Sequence, residues 1–161
     1  MVVNTTSSFA QDEKGDKLLN VGIGLNSYYF GGIPLAASLE IGITDDISVG
    51  PAIGYQSKNY GSGSYNSKWT SIYIGGRGSY HLNKVIDLNN EKVDLYAGAQ
   101  LGYQSFKWKD DYVGVSPYNN GNLRFGLYGG GRYYFQNNIA VVGEFGFGGY
   151  SNANIGVTFK F

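Results

Sequence analysis

The 161-residue chain has no cysteine, which removes disulfide frameworks and thiolate metal sites together. Its one histidine, His81, is too few for a multi-histidine metal centre, and no cofactor is expected. Charged side chains are scarce, at 15% against the roughly 25% of soluble globular chains. Twelve acids balance twelve bases, so nothing points to a nucleic-acid partner. No run approaches the roughly 20 apolar residues of a membrane helix. That absence excludes helices through a bilayer and leaves strands through a bilayer open.

What the chain has instead is 26 glycines and 15 tyrosines, against 3 prolines. Many glycines beside many rings suggest tightly packed strands, and the length suits one domain. The opening "TTSSFAQ" contains Ser8-Phe9-Ala10, a small-x-small pattern that fits a signal-peptidase site. Residues 1–16 are therefore read as an N-terminal arm, with a leader remnant to about residue 10, and residues 17–161 as the folded domain.

Strict alternation dominates from residue 17 onward. In "LLNVGIGLNSYYF", Leu19, Val21, Ile23, Leu25 and Tyr29 share one face, and Leu18, Asn20, Gly22, Gly24, Asn26 and Tyr28 share the other. Period two with one apolar side is the signature of a strand. Seven more stretches repeat it, near residues 33–44, 47–56, 70–82, 93–103, 123–135, 139–148 and 153–161. The connections "TDD" and "QNN" read as tight turns, and "SKNYGSGSYNSK" and "KWKDDYVGVSPYNNGN" as long polar loops. Eight strands with unlike ends predict an all-β, eight-stranded antiparallel up-and-down barrel.

The apolar face carries more bulk than an eight-stranded interior can hold, while the other face is mostly Gly, Ala and Ser. The apolar face is therefore expected to meet lipid, which makes the barrel transmembrane. Leu19 to Tyr29 spans ten residues, which at about 3.3 Å each and a tilt near 40° rises about 25 Å, the height of an outer-membrane apolar band. Two aromatic girdles are expected. Tyr29, Tyr55, Tyr103, Phe125 and Phe147 would mark the long-loop end, and Tyr80, Tyr133, Phe135 and Phe161 the short-turn end. Glu40, Arg77, Asp94, Arg132, Glu144 and Lys160 fall on the inner face near the short-turn end. Three acids with three bases predict a buried ion-pair network there, because isolated charges would be expensive. Tyr28, Tyr73, Tyr96, Tyr128, Gln56 and Gln100 would fill the lumen above, giving a plugged core.

The eight alternating stretches, with the terminal "GVTFKF", resemble the small outer-membrane barrels of the OmpA/OmpX type, often labelled porin-family. The resemblance implies residence in a Gram-negative outer membrane, contact with its lipid, insertion by the barrel-assembly machinery, and both termini in the periplasm. A peptidoglycan-binding domain after the barrel, as in OmpA-like proteins, is not expected. Catalysis is not expected either, since His81 lies near Ser79 at the short-turn end with no third residue indicated. The function expected is structural or interactive, as a solitary barrel or an accessory subunit of a larger outer-membrane complex with an outer-membrane protein partner. A narrow pore for small solutes is the alternative, and a soluble ligand-binding barrel comes after it.

Overall fold

The computed structural model describes residues 13–27, 32–62, 65–110, 118–149 and 151–161. Eight strands follow one another: β1 (Lys17–Ser27), β2 (Leu35–Gly42), β3 (Ile47–Ser62), β4 (Tyr65–His81), β5 (Val93–Asp110), β6 (Tyr118–Gln136), β7 (Ile139–Phe147) and β8 (Ser151–Lys160). Each pairs antiparallel with its sequence neighbours, and β1 closes on β8 with Leu19 opposite Phe159 and Ile23 opposite Ile155. Closure leaves no unpaired edge along the wall, as a bilayer demands. Gly148, at φ 77°, helps the chain turn tightly from β7 toward β8, in a region that side chains with a Cβ rarely enter.

Polarity is inverted relative to a soluble barrel. Phe145 is 73% exposed and Leu123 72%, whereas Glu40 and Asp94 are 0% exposed and Arg132 1%. The outward face is a belt of Val, Ile, Leu and aromatic side chains, including Val21, Ile53, Ile74, Leu101 and Ile155. A soluble carrier would turn those residues inward. Tyr55, Tyr103, Phe125 and Phe147 project outward toward one end, and Tyr80, Tyr133, Phe135 and Phe161 toward the other. Tyr28 and Tyr29 lie outside the described residues.

The polar runs expected as long loops are largely strand. β3 and β4 stay paired from Tyr55–Ile72 out to Ser62–Tyr65. β5 and β6 stay paired out to Trp108–Tyr118. Ladder hydrogen bonds need only backbone, so pairing continues after the apolar alternation has ended. The consequence is asymmetry. β3 to β6 run 16, 17, 18 and 19 residues, and β1, β2, β7 and β8 only 11, 8, 9 and 10. A four-stranded sheet therefore continues past the girdle on one side of the barrel. β8 also begins earlier than the alternation suggests, because "SNAN" pairs with β1 and β7.

Candidate functional site

Glycine and tyrosine shape the lumen together. Tyr96 on β5 faces Gly130 on β6, and Tyr128 on β6 faces Gly98 on β5. A Cβ added at Gly130 would sit 2.8 Å from the Tyr96 Oη, and one at Gly98 would sit 2.5 Å from the Tyr128 Oη. Each ring thus lies over the bare backbone of its neighbour, which lets two large side chains occupy a narrow barrel. The two rings meet edge to face at 6.3 Å. Two guanidiniums then stack on them, Arg77 at 4.0 Å from the Tyr128 ring centre and Arg132 at 4.1 Å from that of Tyr96.

The carboxylates close the arrangement. Arg77 donates from Nη2 to Glu144 at 2.5 Å, and its Nε lies 3.3 Å from Glu40. Arg132 donates from Nη1 to Asp94 at 2.7 Å and from Nη2 to Glu40 at 3.3 Å. Glu40 on β2 therefore bridges the two arginines and also accepts from Asn20 at 2.9 Å, from Ser48 at 3.1 Å, and from Ser79. Tyr96 donates to Glu144 at 2.8 Å. Such multiple satisfaction makes buried charge tolerable. A cavity of about 30 Å³ remains beside Arg77 and Glu144, lined also by Asn20, Ser38 and Asn154, with room for one or two waters.

Lys160 departs from the expected arrangement. Its Nζ pairs with Asp16, in the arm before β1, at 2.8 Å and not with Glu144. Position explains it, since Lys160 lies opposite Leu18 at the short-turn end, within reach of the arm, whereas Glu144 lies opposite Asn154 deeper in the lumen. The remaining five expected charges, Glu40, Arg77, Asp94, Arg132 and Glu144, share one cluster, which His81 joins. His81 donates from Nδ1 to Asp94 at 2.9 Å, and its Nε2 lies 3.1 Å from the Ser48 hydroxyl. Asn20, Ser48 and Ser79 were not foreseen as partners. Their only sequence signal is position on the inner face at the same height.

Ser48, His81 and Asp94 lie in the order of a hydrolase relay. Their surroundings differ from one. The three are 1%, 4% and 0% exposed, Asp94 is also held by Arg132, and the Ser48 hydroxyl also reaches Glu40. A nucleophile needs an approach for its substrate, and these groups are packed beneath the tyrosines. Ser79, the serine nearest His81 in sequence, contacts Glu40 and Tyr128 instead. Among the described residues, no group of three or more acidic or histidine side chains is disposed to hold a metal ion.

The strand extension carries a second constellation. On the face continuing the lumen side, Tyr60 stacks on Trp108 at 5.9 Å and Trp69 on Phe106 at 6.0 Å. Lys58 lies 5.0 Å over the Tyr60 ring. Trp69 is buried in this row, and Tyr60 and Trp108 are half-buried.

No protein-family model matches the chain, and no curated protein matches it by sequence. Solved structures do. Ail, the attachment invasion locus protein of Yersinia pestis, solved with the heparin analogue sucrose octasulfate, aligns over 92% of this chain and 99% of its own at TM-score 0.60 and 9% identity. The N-terminal β-barrel domain of Pseudomonas aeruginosa OprF aligns over 94% and 100%, at TM-score 0.57 and 17% identity. A de novo designed transmembrane β-barrel aligns over 94% and 99%, at TM-score 0.57 and 15% identity. The architecture is thus that of the small eight-stranded transmembrane β-barrels of outer membranes. That a designed barrel matches about as well as natural ones shows how little the fold alone says about activity.

Proposed function

We propose that the chain is a non-enzymatic outer-membrane barrel that presents its β3–β6 extension to another protein, either alone or as an accessory subunit of a larger complex. The observation that carries this reading is the paired aromatic row Tyr60, Trp69, Phe106 and Trp108, held on rigid ladder beyond the girdle. Aromatic side chains on a fixed backbone supply contact area at low entropic cost. The packed lumen supports a structural core over a pore, and the burial of Ser48, His81 and Asp94 supports a structural role over catalysis. Insertion by the barrel-assembly machinery, with both ends of the barrel on the periplasmic side, belongs to the same reading; the alternating apolar run "GVTFKF" supports the first and the even strand count puts both ends on one side.

The test is affinity purification of the tagged protein from native outer membranes in mild detergent, with mass spectrometry of what co-elutes. A stoichiometric partner for the wild type that is lost in Tyr60→Ala/Trp108→Ala supports the reading. Purification alone, together with steady single-channel conductance, would overturn it in favour of a narrow pore.

A further inference from the structure

The opposite face of the same extension is basic. Lys68 on β4 lies directly opposite Lys109 on β5, and Lys107 lies opposite Thr70. Alternation puts these three lysines on the side that carries Ile72, Ile74 and Tyr103, which faces lipid lower down. All three are exposed. Like charges directly opposite on paired strands repel. The neighbours on this face cannot offset that repulsion, for Ser57, Asn59, Ser105, Asn119 and Gly121 are all uncharged. Among the described residues, no acid occupies this face of the extension. The short-turn end differs, since Lys84 there pairs with Asp46 at 2.9 Å.

Height decides what could supply the missing anions. Lys107 stands four residues beyond Tyr103 on β5, and Lys68 four beyond Ile72 on β4. At about 3.3 Å per residue and a tilt near 40°, that is roughly 10 Å past these outward apolar side chains. A lysine stem is long enough to reach back from there to the headgroup layer. A soluble partner would meet the tip or the aromatic face, whereas these lysines flank the membrane itself.

We propose that Lys68, Lys107 and Lys109 bind the anionic, phosphate-bearing headgroups of the leaflet at the long-strand end. Lipid then supplies the counter-charge that the described neighbours on this face do not, and the basic row fixes how deeply the barrel sits. Each lysine near an anionic lipid surface is worth about a fivefold gain in association.

The experiment uses the full chain folded into phosphatidylcholine vesicles, with and without admixed phosphatidylglycerol, and reads the rate of unfolding in urea. Phosphatidylglycerol should slow unfolding of the wild type by on the order of tenfold or more. Lys68→Gln/Lys107→Gln/Lys109→Gln should lose that response while unfolding no faster than the wild type in phosphatidylcholine, because the mutual repulsion has gone. The corresponding triple Arg variant should keep the response, and Lys17→Gln/Lys84→Gln/Lys92→Gln at the other end should leave it intact. An equal response in the triple Gln variant would overturn the proposal. So would inorganic phosphate reproducing the effect in phosphatidylcholine alone, which would make the row a site for soluble anions.

Discussion

Arg77 and Glu144 meet across the lumen from β4 and β7, two strands that do not pair, with Nη2 2.5 Å from Oε1. Their contact ties opposite walls together, which no ladder hydrogen bond can do. Both side chains are buried, so removing one leaves an uncompensated charge. Arg77→Ala is expected to cost about 3–5 kcal/mol in equilibrium unfolding. Arg77→Met/Glu144→Leu should recover much of that, since replacing a buried pair with packed apolar groups is often neutral or stabilising. Wild-type stability in Arg77→Ala would sink the account of the lumen.

His81 holds one carboxylate of the same cluster, Asp94, through its Nδ1. Three carboxylates, Glu40, Asp94 and Glu144, face two guanidiniums, Arg77 and Arg132. His81→Gln keeps a donor and an acceptor but moves them from the ring positions that meet Asp94 and Ser48. It should destabilise by about 1–3 kcal/mol, the cost of weakening a buried charged hydrogen bond. Lys160→Gln should cost at most about 1 kcal/mol, because its pair with Asp16 is only partly shielded from solvent. Urea titrations of the two variants side by side check the order, and a larger loss for Lys160→Gln would contradict the placement.

Much of this was legible in the sequence, for a definite reason. Alternation with period two assigns each residue to a face, and one face too bulky for the interior then fixes inside and outside. Glu40, Arg77, Asp94, Arg132 and Glu144 could be placed in the lumen on that basis alone. Asp94 and Arg132 are direct partners on paired strands, but the other pairs could not be read, because Arg77–Glu144 and Arg132–Glu40 cross between strands that are not neighbours. Alternation carries no information about the direction a long side chain takes across a cavity. Lys160 illustrates the limit, as its partner Asp16 sits in a stretch with no periodicity at all. His81 and Ser48 were missed as members because a lone histidine and a serine carry no pattern.

The glycines opposite the lumen tyrosines should be intolerant of even one carbon. Gly130→Ala would force its Cβ against the Tyr96 ring and against the carbonyl of Gly143. Displacing Tyr96 would also disturb the Arg132 stack and the hydrogen bond to Glu144. A cost of about 1–3 kcal/mol is expected, typical of overpacking. Gly143→Ala serves as the control, since its Cβ would meet nothing within 4 Å. Equal losses in the two variants, measured by urea unfolding, would show that the ring contact is not what matters.

The extension of β3–β6 makes the last prediction, because polar composition and pairing point in different directions there. "SKNYGSGSYNSK" has the glycine, serine and asparagine content of a loop. Yet Ser57–Thr70, Lys58–Trp69 and Asn59–Lys68 are ladder partners, and the ladder continues into β5 through Trp69–Trp108. Opening freely as a coil would break these bonds together with the Tyr60–Trp108 and Trp69–Phe106 stacks. Amide exchange in this region should therefore be slower than in an unstructured peptide and faster than in the barrel wall, which also carries the lumen cluster. Trp69→Gly, which removes a stack and a strand-favouring side chain together, should speed exchange at Lys58 and Asn59 while leaving Leu95 to Ala99 unchanged. Exchange at the free-peptide rate in the wild type would mean that this segment is loop after all. The contact surface assigned to the extension would then lose its rigid support.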